Sequence, residues 1–240
     1  MNSRERVLAA IRHEEPDRVP IDLGAMGSTG IMAIAYRKLK QYLGIDEGQV
    51  RVYETMQQIA EIEQLILDRF HLDVVDVNNS WGSRPQGWKP WVLEDGSDAF
   101  VRVGFDPQSD GEGGYVIVDS RGNVRSRSPR GCLYFEPVYH PLADMTSVEE
   151  LQDWQPGQLS DQYLDRVHAR AKALFENTDY ATLGGFGGNI IESGQSLRGW
   201  GQFMIDLAAD PEFTHALLDK LTELHLANLK RYLDAVGDYI

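Results

Sequence analysis

Two aspartates in matching settings, Ile21-Asp22-Leu23 and Val75-Asp76-Val77, are the side chains of this sequence best placed for chemistry. Along a strand of period two, each carboxylate points away from its apolar neighbours. A carboxylate at a strand end can bind a cation, accept a proton or orient an amine. Asp22 can equally cap the backbone turn at Gly24, and Asp76 can be a structural carboxylate paired with a neighbouring strand. Asn78 stands two residues further on. The run Gly184-Gly185-Phe186-Gly187-Gly188 permits positive φ angles and close approach of backbone to a ligand. It has neither the Lys-Ser/Thr of a P-loop nor Gly-x-Gly-x-x-Gly, so it predicts a tight strand-to-helix turn lining a pocket. Glu192 then opens Glu192-Ser193-Gly194-Gln195-Ser196, either aimed at a ligand or acting as a helix-terminal acid. The predicted small-molecule site is therefore Asp22, Asp76, Asn78, Phe186 and Glu192, with the backbone of Gly24, Gly185, Gly187 and Gly188.

These residues need strands to carry them. Apolar runs at 19–23, 72–77, 180–183 and 236–240 alternate with helical periodicities, the signature of parallel βα units. Helices are predicted over 31–43, 55–70 and 160–175. In the second, Ile59, Ile62, Ile66 and Phe70 recur at spacings of three and four and share one face. Ser147-Val148-Glu149-Glu150 has the pattern of a capping box. Asp210-Pro211-Glu212 opens a last helix whose stripe is Phe213, Leu217, Leu221 and Leu224. At 88–135 the pattern changes to short alternating segments joined by Asp95-Gly96, Asp110-Gly111 and Arg121-Gly122-Asn123, which are hairpin signals. An antiparallel β-hairpin insertion after the second strand follows from this. The predicted fold class is α/β of the (β/α)8 TIM-barrel type. About four parallel strands are present, fewer than the eight that closure needs. The chain thus reads as the N-terminal portion of a longer barrel, with a strand edge near Ile240 that invites a completing chain or homo-oligomer.

Composition narrows the function classes. The formal net charge of -14 opposes nucleic-acid binding, which requires clustered cations. Arg121, Arg125, Arg127 and Arg130 form one local basic cluster, a solvated hairpin or alternatively a carboxylate clamp. Cys132 is the only cysteine, so an internal disulfide is impossible, and its apolar surroundings predict a buried structural thiol. The six histidines show no metal-ligand spacing. Arg198-Gly199-Trp200-Gly201 reads as a packing corner rather than a cation–π site. No apolar run reaches membrane-spanning length and no secretory signal is visible, which predicts a cytoplasmic protein without membrane partners.

The opening Ser3-Arg4-Glu5-Arg6-Val7-Leu8-Ala9-Ala10-Ile11-Arg12-His13-Glu14-Glu15-Pro16-Asp17-Arg18-Val19-Pro20-Ile21-Asp22 reads as a short helix with Val7, Leu8 and Ile11 on one face, a turn, and a buried strand. With the glycine-rich run and the stretch from Asp206 to Ile240, it resembles the uroporphyrinogen decarboxylase superfamily, in particular the branch of corrinoid-dependent methyltransferases. Residues 81 to 140 match loosely. The resemblance implies transfer of a methyl group from a methylated corrinoid on a partner protein to a small acceptor, with a ligand role for Asp76. It implies a zinc-activated acceptor too, yet the His-x-Cys pair and later cysteine that hold zinc in the family have no counterpart here, so corrinoid and zinc belong to the complete protein. The decarboxylase branch carries arginines after its first strand, where this sequence has Leu23-Gly24-Ala25-Met26-Gly27-Ser28-Thr29-Gly30. That difference favours methyl transfer over uroporphyrinogen decarboxylation. A non-catalytic partial barrel that binds a small molecule or subunit is the alternative from another class.

Overall fold

A computed structural model describes residues 1–78 and 87–240. The start of the loosely matching stretch, 81–86, lies outside the described residues. The fold is mixed α/β, and none of its three sheets closes into a barrel among the described residues. No helix among them is long and apolar enough to cross a membrane.

The chain begins with α1 (Ser3–Ile11), closed by a capping box in which the Asn2 side chain accepts from the Glu5 N–H. Its buried face differs from the expected one: Arg6 and Ala9 are inside, while Leu8 and Ile11 are exposed. Charge pairing outweighs the apolar stripe here, since Arg6 reaches Asp17 and the fully buried Asp73 at 2.6 and 2.7 Å.

The predicted first strand at 19–23 does not form. Val19 is 78% exposed, and the segment is fastened by the Asp73 N–H to the Ile21 carbonyl and the Ile21 N–H to Asp73 Oδ2. Pro20 removes a donor that a ladder would use.

After α2 (Ala33–Tyr42) come β1 (Arg51–Glu54), β2 (Ile59–Ala60), α3 (Gln64–Phe70) and β3 (Val74–Asp76). The helix predicted over 55–70 is thereby cut to its last seven residues. Gln58 takes a left-handed conformation (φ 54°), ending the turn that reverses β1 into β2. Ile59, Ile62 and Ile66 are nonetheless buried, by strand, loop and helix in turn.

The hairpin signals hold. β4 (Trp88–Val92) pairs antiparallel with β5 (Asp98–Arg102), and β6 (Gln108–Ser109), β7 (Tyr115–Val118), β8 (Val124–Ser128) and β9 (Glu136–Pro137) form a meander. The first hairpin is not a separate insertion, because β5 lies parallel to β1 with Val52 opposite Val101, giving a sheet β2-β1-β5-β4. Arg125 of the basic cluster pairs with Asp119 and stacks 3.5 Å from the Tyr139 ring, a solvated hairpin arrangement. Cys132 is exposed, contrary to expectation: in its run only Phe135 turns inward, against Phe105.

Helices α4 (Val148–Asp153) and α5 (Asp161–Asn177) lead into β10 (Ala181–Leu183), then α6 (Ile190–Arg198), α7 (Trp200–Ala209) and α8 (Pro211–Val236). Ser147 completes the predicted capping box and the Asp210 carboxylate caps α8. The strand expected at 236–240 is instead the end of α8 and a 3-10 turn, Gly237–Tyr239. The stripe Leu217, Leu221, Asn228, Tyr232, Val236 continues at helical spacing, and Tyr239 packs its ring on His168 and Phe175, so no strand edge is exposed at Ile240. Arg198 lies in a packing corner, donating to Asp206 and to the carbonyls of Leu142, Ala143 and Met145, with its guanidinium over Phe213 and not Trp200.

Candidate functional site

β3 and β10 pair in parallel, with Ala181 opposite Val74 and Leu183 opposite Asp76. Both strands therefore end on the same side, where open parallel sheets place their ligands. β3 delivers Asp76 and Asn78, and β10 delivers the glycine run.

Asn78 holds this end together. Its Nδ2 donates to the Gly185 carbonyl at 2.8 Å, and its Oδ1 accepts from Tyr163 Oη of α5 at 3.1 Å and Tyr232 Oη of α8 at 3.0 Å. Its N–H donates to Asp76 Oδ1 at 2.7 Å, and its carbonyl accepts from Arg170. One side chain thus ties together two strands and two helices. Tyr163, Arg170 and Tyr232 were not foreseen, because they come from two helices far apart in sequence and nothing in the sequence shows that their polar ends converge.

Close approach and backbone conformation single out particular glycines of the run. A Cβ on Gly184 would stand 2.7 Å from Tyr232 Oη, and one on Gly188 would stand 2.3 Å from the Phe186 ring; Gly187 has φ 79°. Phe186 packs beside Tyr232 with ring centroids 6.5 Å apart.

Asp76 is 8% exposed and lines a cavity of about 30 Å³ with Leu23, Gly24, Tyr53, Glu61 and Ile62. That volume holds about one water-sized group. The Tyr53 hydroxyl is buried without a hydrogen-bond partner among the described residues. Burial, and then the charges of Asp76, Glu54, Asp22 and Glu61, push its phenol up to about 12. Tyr232 is also pushed up to about 12, by burial first and then by Tyr163 and Asp76, against hydrogen bonds with Gly185 and Asn78 that lower it. Both phenols therefore stay neutral, able to donate. A group raised in the fold gives stability that is complete below its unfolded value, about 10, and lost as pH rises through the folded one. An ultraviolet tyrosinate titration is expected to show Tyr53→Phe and Tyr232→Phe each removing one late-ionising phenol and none of the early ones.

Asp22 takes the capping role, its Oδ1 accepting from the Ala25 N–H at 3.0 Å. Gly24, with φ 84°, approaches Ile62, where a Cβ would meet Cγ1 at 2.5 Å. Glu192 is not brought to Asp76: it lies in the first turn of α6 and lines a different cavity. The site assembled by the fold is thus Asp76, Asn78, Phe186 and the backbone at 184–188, with Tyr163, Arg170 and Tyr232 behind them and Tyr53 beside Asp76. Among the described residues, no cluster of three His, Cys, Asp or Glu could hold a metal ion.

Searches of family models, curated proteins and solved structures found no match to this chain.

Proposed function

We propose that this chain is the N-terminal part of a cytoplasmic (β/α)8 barrel like those of the uroporphyrinogen decarboxylase superfamily, and that the barrel moves a methyl group from a corrinoid to a small acceptor. The observation that supports this reading is the parallel pairing of β3 with β10, which sets a carboxylate, an amide and a glycine-rich turn at one end of the sheet. Asp76 supplies the negative charge that orients the acceptor, Asn78 fixes the turn at Gly185, and Phe186 gives an apolar wall. The cavity of about 30 Å³ admits no corrinoid macrocycle, so the corrinoid stays on its carrier protein as a substrate. The described residues offer no ligand set for the zinc implied by the resemblance.

A non-catalytic binding role is favoured by one specific observation: both polar atoms of the Asn78 side chain are engaged within the chain. The deciding experiment follows loss of methylcobalamin in the presence of a simple thiol, using the protein isolated from its source cell. Methyl transfer predicts turnover that falls by about tenfold or more in Asp76→Asn, an isosteric change that keeps an acceptor for the Asn78 N–H. Absence of turnover with retained small-molecule binding supports the binding role, and carbon dioxide release from uroporphyrinogen would establish decarboxylation instead.

A further inference from the structure

The second cavity stands apart from Asp76 and has a different chemistry. It occupies about 470 Å³ between residues 154–157, α6 and the middle of α8. Binding pockets for small molecules span about 300–1,000 Å³. Trp154, Leu221 and Leu224 supply its apolar side and Glu192 and Ser196 its polar side, with the His225 ring beside them. Among the described residues, Glu192 is the only acidic one on this wall, and neither lysine nor arginine lines it. Lys220 stands 5.8 Å over the Trp154 ring, but its ammonium donates to the carbonyls of Leu151 and Gln152 and does not line the cavity.

His225 adds an independent sign. Both ring nitrogens are shielded from solvent and have no hydrogen-bond partner among the described residues. Buried polar groups are ordinarily satisfied. Among the described residues no hydrogen bond holds the ring, so it can turn a nitrogen, now shielded, towards a donor in the cavity.

We propose that this cavity is a binding site for a small organic amine with an apolar or aromatic body. The ammonium faces Glu192 and supplies the donor that His225 lacks, while the body lies against Trp154, Leu221 and Leu224. The chain's net charge of -14 draws cations to the surface and opposes anionic ligands. The inference is independent of the methyl-transfer reading, since it involves neither Asp76 nor Asn78.

Calorimetric titration of the full chain with phenethylamine, and separately with hydrocinnamate, tests it. The two probes share a phenyl body and carry opposite charge. Phenethylamine is expected to bind about tenfold more tightly than hydrocinnamate, and Glu192→Gln to weaken it by about fivefold or more without changing the thermal melt. Leu224→Trp, which fills the cavity, is expected to remove binding. Equal affinity for both probes, no binding of phenethylamine to the native chain, or undiminished binding by Glu192→Gln would overturn the proposal.

Discussion

Asn78→Ala is expected to destabilise the protein by about 2–5 kcal/mol, lowering the melting temperature by roughly 5–20 °C. The substitution removes the acceptor shared by Tyr163 Oη and Tyr232 Oη and the donor to the Gly185 carbonyl. Tyr232 is 1% exposed, so its hydroxyl cannot turn to water once the amide is gone. An unsatisfied buried donor bears its whole desolvation penalty, which is why the loss exceeds the net worth of any one hydrogen bond. Asn78→Asp is a sharper test. It keeps two acceptor oxygens for the tyrosines but turns the donor facing Gly185 into an acceptor and sets a second carboxylate beside Asp76. The aspartate variant should therefore be at least as unstable as alanine, and its glycine turn should be cleaved faster by protease. An unchanged melting temperature in both variants would mean that these hydrogen bonds do not act together.

A second large effect is expected at the opposite end of β3. Asp73 is fully buried and accepts from Arg6 Nη1 at 2.7 Å, from Arg18 Nη1 at 2.7 Å and Nη2 at 2.9 Å, and from the Ile21 N–H at 2.9 Å. Asp73→Ala leaves the Arg6 guanidinium, itself 7% exposed, with Asp17 as its only carboxylate partner among the described residues. Breaking a buried pair on one side costs about 3–5 kcal/mol. The same variant releases the 19–22 segment, which has few other ties. Chemical denaturation should show the loss directly.

The pH dependence of Asp73 has a definite sign. Burial alone would raise its carboxyl, but hydrogen bonds from Arg18, Ile21, Ser3 and Arg6 outweigh burial and hold it below its ordinary range. A carboxyl depressed by folding contributes stability that is complete above its unfolded value of about 3.9. That contribution disappears as pH falls through the lower folded value. The native protein should therefore lose stability below about pH 4, and Asp73→Asn should be less stable at neutral pH yet show a shallower acid decline. Equal acid slopes for the two proteins would remove Asp73 from this role.

Much of the local structure was legible without coordinates. The Ser147 capping box, the Asp210 cap with Pro211 behind it and the Asp95-Gly96 turn depend on neighbours within a few residues, and their chemistry is complete in the sequence. The two segments with strand character that pair, 72–77 and 180–183, were also legible. The helix over 55–70 was not, because Ile59, Ile62 and Ile66 satisfy helical spacing and are buried in any case, while the reversal at Gln58 is fixed by pairing with β1 and by the distant β5. Residues 236–240 were misread for the converse reason: Val236, Tyr239 and Ile240 suit a strand, but the stripe ending in Tyr232 and Val236 carries the helix through.

The candidate site divides along the same line. Residue type and strand position alone determined that Asp76, Asn78 and the glycine run would meet at one strand end, since parallel neighbours share their direction. Only the tertiary structure decided that Asn78 is the hub, that Tyr163, Arg170 and Tyr232 converge on it, that Asp22 caps a turn, and that Glu192 faces a cavity of its own. Those outcomes depend on how α5, α6 and α8 are rotated and docked. Packing of apolar surfaces sets that rotation, and the polar end of a side chain goes where its helix takes it.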